Sequence, residues 1–164
     1  MNLPERVVFD CGVFFQALIA PGGPAGKCLA SARDGDLLLF VSNYVLAELR
    51  DVCARPHLVR RFRLSESRVD AFVAQIADIA TFVDVVPHVF EYPRDPDDEH
   101  YVDLAVASRA RLIVSRDNDL LALEDPNNAD GQSFHRRFPD LTILTPEDML
   151  KQLDQELNKP HESP

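Results

Sequence analysis

The sequence has few cysteines and no apolar run long enough to cross a membrane. Its longest apolar stretches, 13–20 and 37–41, fall far short of the ~20 residues that a transmembrane helix needs. The N-terminus lacks a basic region followed by a long apolar stretch and a small-residue cleavage site, so we expect no secretory signal, no membrane partner and a cytoplasmic location. The three cysteines, Cys11, Cys28 and Cys53, are too widely spaced for a zinc knuckle or a redox motif, which predicts free and mostly buried thiols.

Positive charge is also scarce. The chain has 17 Lys and Arg residues against 27 Asp and Glu residues, which gives a net charge of -10. This balance argues against nucleic-acid binding through a bulk positive field alone, and the sequence shows no aromatic platform for single-stranded bases. An acidic excess is instead compatible with carboxylates that converge on a metal ion.

The chain length and the spacing of the apolar runs predict one α/β domain. At 164 residues and 46% hydrophobic content, the chain is large enough for one well-buried core. Short apolar runs that are typical of buried strands occur at 6–10, 37–41, 82–86, 112–115 and 141–144. Because helical segments separate these runs, we expect a three-layer α/β/α fold with a mostly parallel central sheet of about five strands.

Capping residues and apolar periodicity predict the main helices. Ser42 or Asn43 is suited to cap the helix after the second strand. Ser65 begins a longer helix whose apolar side chains recur at the i, i+3, i+4 spacing of one buried face. A further helix opens near Asp97 or Asp98, after a proline-rich segment.

Two further predictions concern the C-terminal third of the chain. The segment 124–132 is rich in Asp, Asn, Pro and Gly, which predicts a surface loop. Thr145 and Pro146 fit the start of a capped helix. We therefore assign 1–150 to the domain, and 151–164 to the end of this helix and a disordered tail.

Four acidic residues are placed to meet at the carboxyl ends of the strands. Asp10 ends the first strand and Asp117 follows the fourth, so both carboxylates should project from the sheet edge where ligands bind in open α/β sheets. Asp98 begins a helix that would face the same edge, and Glu48 lies in the helix after the second strand. Taken singly, Asp98 also fits a plain helix cap and Glu48 a solvated helix residue.

Carboxylates that meet in this way indicate a bound cation. Close like charges raise one another's pKa unless a cation neutralises them, and Mg²⁺ or Mn²⁺ prefers oxygen ligands. Such ions activate water and stabilise the charge that develops on a phosphate, and two of them about 4 Å apart suit phosphodiester cleavage. The pattern therefore predicts metal-dependent hydrolysis of RNA or DNA.

Five sequence blocks, in a fixed order, carry a family resemblance. They are VVFD at 7–10, VSNYVLAEL at 41–49, DPDDEHYVDLAVA at 95–107, LIVSRDNDLL at 112–121 and ILTPEDML at 143–150. In this order they resemble PIN-domain proteins, and within them the VapC-like toxin group of toxin–antitoxin systems. The resemblance implies a Mg²⁺- or Mn²⁺-dependent endoribonuclease that acts as a toxin, with a cognate antitoxin as partner and often a homodimeric state.

The resemblance also implies roles for individual residues. The catalytic carboxylates look like Asp10, Glu48, Asp98 and Asp117, and the metal ligands among them look like Asp10, Asp98 and Asp117. Secondary roles fall to Asp103 and Asp119. Asp98 has three acidic neighbours that compete for its place, Asp95, Asp97 and Glu99, and its distance from Ala105 favours Asp98.

The two residues after the first acid depart from the family pattern. Members usually carry a hydroxyl residue and then asparagine, whereas this chain has Cys11 and Gly12. In the family those polar side chains help to order the first acid, so their loss keeps an alternative open: a catalytically degenerate PIN-like module that binds RNA or protein. Gly12 also fits a tight turn.

Two other α/β classes fit less well. A receiver-like domain needs paired acids after the first strand and a lysine late in the sheet, which Lys27, Lys151 and Lys159 do not supply. A haloacid-dehalogenase type phosphatase needs a second acid two residues after the first, where Gly12 stands.

One basic run offers contacts to an RNA backbone. Arg60, Arg61 and Arg63 form this run together with Arg55 and His57. They are placed to contact phosphates beside the acidic cleft. A solvated loop and helix face explains the same run equally well.

Overall fold

A parallel sheet forms the centre of the computed structural model, which describes residues 3–159. Its five strands within this range are β1 (Glu5–Phe9), β2 (Leu37–Val41), β3 (Thr81–Phe82), β4 (Leu112–Val114) and β5 (Thr142–Leu144). They lie in the order β3-β2-β1-β4-β5, and every neighbouring pair is parallel. In the middle strand, Val8 pairs with Phe40 of β2 on one side and with Ile113 of β4 on the other.

Helices cover both faces of this sheet. Those in the described part of the chain are α1 (Cys11–Ile19), α2 (Pro24–Arg33), α3 (Asn43–Cys53), α4 (Pro56–Phe62), α5 (Glu66–Ile79), α6 (Glu99–Ser108), α7 (Asn118–Leu121), α8 (Ala129–Arg137) and α9 (Pro146–Leu157). Because both faces are covered, the middle strands are apolar throughout, and the Val7, Val8 and Ile113 side chains have no exposed surface. The predicted three-layer α/β/α fold is confirmed.

Several sequence-based predictions are confirmed in detail. Ser65 caps α5 by accepting the Arg68 N–H, and the apolar residues of the inner face of this helix pack into the core. Ser42 caps α3 and Thr145 caps α9 in the same way. All three cysteines are free and buried. No helix in the described part of the chain is long and apolar enough to span a membrane.

The third strand is shorter than the predicted run at 82–86. Only Thr81–Phe82 joins the sheet, and the Val83 N–H adds one hydrogen bond to the Val41 carbonyl at 2.9 Å. The chain leaves the sheet after Val83, and Pro87, which has no N–H, could not extend the ladder further. At the other end of the chain, the tail is predicted beyond Asn158, and its residues 160–164 lie outside the described part of the chain.

The loop predicted at 124–132 is wrong in its second half, where α8 begins. The Asn128 side chain caps this helix by accepting the Gly131 N–H at 2.6 Å. A Cβ atom on Gly131 would lie 2.0 Å from the Asp125 carbonyl oxygen, so only glycine allows this close approach. The Asn, Asp and Gly residues that indicate a loop therefore serve a helix cap and a tight backbone contact.

Candidate active site

Asp10 is held at the N-terminus of α1 by two hydrogen bonds. Its Oδ1 accepts the Val13 N–H at 2.8 Å, and its Oδ2 accepts the Ser115 hydroxyl. The residue is only 4% exposed. Burial raises the pKa of the Asp10 carboxyl to about 6, against the lowering effect of both hydrogen bonds.

Ser115 connects Asp10 to Asp117. The Ser115 hydroxyl donates to Asp10 and accepts the Asp117 N–H at 2.9 Å. Asp117 Oδ1 in turn accepts the N–H groups of Asp119 and Leu120, at 2.8 and 3.3 Å, and so caps α7. One fully buried hydroxyl thus fixes the two strand-end acids relative to each other.

Asp98 is a buried acid, and one of its carboxylate oxygens is unpaired within the described part of the chain. It is 7% exposed, and its Oδ2 has no hydrogen-bond partner among the described residues. Although Asp98 precedes α6, its side chain makes no capping hydrogen bond, so a capping role does not account for it. Burial and the charges of Asp117, Asp95 and Asp10 raise the pKa of Asp98 to about 8.

The acids beside Asp98 in sequence have other surroundings. Asp97 is exposed to solvent. Glu99 Oε1 accepts the Tyr92 N–H at 2.6 Å, and Glu99 Oε2 lies 3.7 Å from His88 Nε2. Glu99 therefore holds the extended segment before α6.

Asp95 approaches Asp117 and Asp119 from this same segment. One carboxylate oxygen from each of the three residues lies within 4.8 Å of the others. Burial and the charge of Asp117 raise the pKa of Asp95. Arg94 offsets part of this charge, since its Nε lies 3.0 Å from Asp119 Oδ1.

Glu48 is linked to Asp10 through Tyr101. The Tyr101 hydroxyl donates to Glu48 Oε1 at 3.0 Å and accepts the Cys11 N–H, next to Asp10, at 2.9 Å. His100 Nε2 lies 3.1 Å from Glu48 Oε2, but it is not aligned for a hydrogen bond. Burial and the charge of Glu48 raise the pKa of Tyr101, so the phenol stays protonated and remains a donor. Glu48 is thus an oriented, half-buried residue rather than a solvated one.

These side chains together suit a hard divalent cation. We call them the acidic cluster: Asp10, Glu48, Asp95, Asp98, Asp117 and Asp119. All of their donor atoms are oxygens, the kind that Mg²⁺ and Mn²⁺ prefer. The raised pKa of Asp10 and of Asp98 is caused mainly by burial and further by the neighbouring acidic charges, and a bound cation would offset both effects. One oxygen of Asp98 also has no hydrogen-bond partner among the described residues.

Asp103 has an anchoring position on α6. Its Oδ1 accepts the N–H groups of Val89 and Phe90, both at 2.9 Å, and its Oδ2 lies 2.8 Å from His88 Nδ1. The hydrogen bond from His88 to Asp103 raises the pKa of that imidazole. Both oxygens of Asp103 therefore hold the 88–90 segment against α6.

The predicted RNA-binding arginines lie on and just after α4. Arg60 and Arg61 belong to the helix, and Arg63 ends it with a left-handed φ of 52°. All three side chains are exposed, which leaves them accessible to a phosphate. Arg55, just before α4, is near enough to Cys11 for its charge to oppose the burial that raises the pKa of that thiol.

The Cys11-Gly12 pair forms the first turn of α1. Among the described glycines only Gly35 has a positive φ, so the interpretation of Gly12 as a tight-turn residue is wrong. A Cβ atom on Gly12 would lie 3.4 Å from Asp10 Oδ1, which is an ordinary contact distance. The position therefore has room for a side chain and lacks one.

Sequence reasoning missed two residues that organise the site, Ser115 and Tyr101. Ser115 stands two residues before Asp117, at the end of the same strand block. Tyr101 follows Asp98 by three residues, about one helical turn, so it faces the same side of α6. The spacing of each residue from its neighbouring acid was therefore a signal that the sequence contained.

Comparisons with known proteins agree with this geometry. Residues 6–119, more than half of the chain, match the sequence model of the PIN domain. An uncharacterized protein of Methanocaldococcus jannaschii is 27% identical over 150 residues, covering 91% of this chain and 92% of that protein. With a parallel sheet whose carboxyl edge carries the acidic residues, and with this match, the chain belongs to the PIN-domain family.

Proposed function

We propose that this chain is a metal-dependent endoribonuclease that hydrolyses RNA phosphodiester bonds at the acidic cluster. PIN domains are in general nucleases that depend on divalent metal, which supports this class of activity. The observation that carries the proposal is Asp98, a buried carboxyl with an unpartnered oxygen among the charges of Asp117, Asp95 and Asp10. A carboxylate in such surroundings is costly unless a cation compensates it.

The roles of the residues follow from their contacts. We assign Mg²⁺ or Mn²⁺ to Asp117 together with Asp10 and Asp98, whose carboxyl groups interact with the charge of Asp117. Asp95 and Asp119 are further candidate ligands, because their oxygens and one of Asp117 lie within 4.8 Å of one another. A bound ion would activate water and stabilise negative charge on the phosphate.

Glu48 is suited to accept a proton from a water molecule. Tyr101 orients its Oε1, which leaves Oε2 as the acceptor, and the Glu48 side chain is 33% exposed. We assign Asp103 a positioning role, because both of its oxygens bind the 88–90 segment.

A degenerate module that binds RNA or protein without cleavage is the second candidate, and the Cys11-Gly12 pair favours it. Ser115 weighs against it. The Ser115 hydroxyl holds Asp10 Oδ2, so it supplies the ordering that the usual polar pair gives to the first acid in the family. We therefore place catalysis ahead of the degenerate module.

Cleavage of labelled RNA tests the proposal. We expect cleavage of a mixed set of RNAs with Mg²⁺ or Mn²⁺, none with EDTA, and at least a hundredfold loss of rate in Asp10→Asn and Asp117→Asn, since each loses a ligand charge. Asp78→Asn, an exposed acid on α5, is the matched control and should cleave like the wild type. Folded wild-type protein that leaves every RNA intact with both metals would establish the degenerate module instead.

We further propose that the chain is the cytoplasmic toxin of a toxin–antitoxin pair. The support is the order of the five sequence blocks, which resembles the VapC-like group. Induced expression in a bacterial host should arrest growth for the wild type and not for Asp10→Asn, and co-expression of the antitoxin should restore growth. Growth arrest by both variants would contradict a toxin that acts through cleavage.

Phosphate contacts by Arg60, Arg61 and Arg63 belong to the same proposal. Replacing one of them with alanine should weaken RNA binding for all sequences alike and reduce the salt dependence of binding by about one counterion.

The homodimer that the family resemblance implies is a separate part of the proposal, and sedimentation of the purified chain tests it.

A further inference from the structure

A small cavity lies next to the acidic cluster, between the start of α3 and the segment after β3. Its volume is about 180 Å³, and its lining includes Asn43, Tyr44, Val83, Asp84, Val86 and His100. Pockets for drug-sized ligands measure roughly 300–1,000 Å³. The cavity is therefore suited to one planar ring system rather than to a larger ligand.

Tyr44 gives this cavity an exposed aromatic wall. It is 56% exposed, whereas Tyr92 and Tyr101 are each 2% exposed. The Tyr44 ring packs on His100, with 4.1 Å between ring centroids, and His100 packs on Tyr101 at 3.8 Å. Neighbouring rings are tilted by 46° and 42°, and this row of rings holds Tyr44 in place without covering it. The sequence alone showed no such platform, because Tyr44 and His100 come from distant blocks.

The same row of rings joins the cavity to Glu48, one of the proposed catalytic carboxylates. His100 Nε2 lies 3.1 Å from Glu48 Oε2, and the Tyr101 hydroxyl donates to Glu48 Oε1. Tyr44 and Glu48 are also one helical turn apart on α3, and His100 lies beside both. Because we place Glu48 beside the phosphate that is cleaved, the neighbouring nucleotide is within reach of Tyr44.

The chemistry of the lining favours a neutral base over a phosphate. Asp84 is exposed and repels phosphate, but a carboxylate accepts hydrogen bonds from exocyclic amino groups. The Asn43 amide both accepts and donates hydrogen bonds, so the preference for an amino-bearing base rests on Asp84. Val83 and Val86 supply apolar contact for the ring itself.

We propose that this cavity binds one nucleobase of a single-stranded RNA substrate, stacked on Tyr44, and prefers an amino-bearing base to uracil. This inference rests on the proposed function and names the substrate subsite of the same active site. The RNA must be single-stranded, because a base within a duplex is already stacked and does not reach a side pocket.

Binding of short RNAs to the full-length Asp10→Asn protein tests the inference without cleavage. Adenine and cytosine oligomers should bind more tightly than uracil oligomers or a duplex. Adding Tyr44→Ala should weaken adenine-oligomer binding by roughly 5- to 100-fold, the range for one aromatic stack. Tyr44→Phe keeps the ring and should bind like the parent, as should Leu157→Ala, which removes an exposed apolar side chain from α9.

An abasic-site scan of the RNA identifies the stacked base. At one position, loss of the base should weaken binding to the parent protein and have no further effect in Tyr44→Ala. Unchanged binding by Tyr44→Ala, or an equal loss for intact and abasic RNA, would overturn the nucleobase subsite and leave the cleavage results untouched. A parent protein that binds none of the RNAs would overturn the proposed function together with this inference.

Discussion

Asp98 and Asp10 should make the stability of the metal-free protein depend on pH. Its pKa is raised to about 8, and that of Asp10 to about 6, from a usual value of 3.8. A carboxyl whose pKa rises on folding contributes its full stability below the unfolded pKa, and loses this contribution as the pH rises through the folded pKa. In EDTA, the free energy of unfolding should therefore fall between about pH 4 and pH 8.

Asp98→Asn isolates this effect, because asparagine keeps the shape of the side chain and carries no charge. At pH 8 in EDTA we expect its Tm to exceed that of the wild type by a few degrees, and at pH 4 we expect the difference to disappear. Thermal denaturation measures both values, with Asp78→Asn as the exposed control. A constant Tm difference across this pH range would contradict the prediction.

Tyr101 couples the ordering of Glu48 to the start of α1. Tyr101→Phe removes the hydroxyl that accepts the buried Cys11 N–H and donates to the half-buried Glu48. Loss of one buried partner costs about 1–3 kcal/mol of unfolding free energy. RNA cleavage should also fall, since Glu48 loses its orientation. Tyr44→Phe is the matched control, because the Tyr44 side chain is largely exposed. If Tyr101→Phe left both the stability and the cleavage rate unchanged, Tyr101 would not couple Glu48 to the start of α1.

At the scale of secondary structure, Asp103 separates an anchoring role from a catalytic one. Asp103→Asn keeps an oxygen that accepts the Val89 and Phe90 N–H groups, whereas Asp103→Ala leaves both unpaired. We expect the alanine variant to lose about 1–3 kcal/mol or more, and the asparagine variant clearly less. Hydrogen exchange of the 88–90 amides should rise in the alanine variant alone. A catalytic Asp103 would instead lose as much cleavage in the asparagine variant as in the alanine variant, with normal exchange in the asparagine variant.

The elements that the sequence predicts well are those whose signals are local. Apolar strands and hydroxyl caps such as Ser65 depend on a few neighbouring residues, and the structure confirms them. The start of α8 is not predicted, because Asn128 serves as its cap and Gly131 lies against the Asp125 carbonyl, although both residue types also favour loops. The residues of the candidate site also differ in how far local sequence signals predict them. Strand-end positions of Asp10 and Asp117 follow from topology, whereas the approach of Asp95 to Asp119 depends on how the extended segment packs.

At the scale of the whole molecule, the net charge of -10 makes two kinds of cation binding distinguishable. Diffuse screening by salt acts on all exposed charges and depends on ionic strength. Site binding depends on the acidic cluster and on the identity of the ion. The two effects differ in which residues they require.

Divalent metal should therefore stabilise the folded chain in a way that monovalent salt does not. A ligand that binds only the folded state at about 100 times its Kd contributes about 2.7 kcal/mol, and ~1 kcal/mol shifts the Tm of a chain of this size by about 2–4 °C. We thus expect saturating Mg²⁺ or Mn²⁺ to raise the Tm by roughly 5–10 °C at pH 8. KCl at matched ionic strength should raise the Tm much less.

The double variant Asp10→Asn, Asp117→Asn should lose the metal effect and keep the KCl effect, because it removes two ligands and leaves the rest of the surface charge in place. An equal rise in KCl, or a full metal effect in the double variant, would mean that the ions act on the overall charge and that the acidic cluster is not their site.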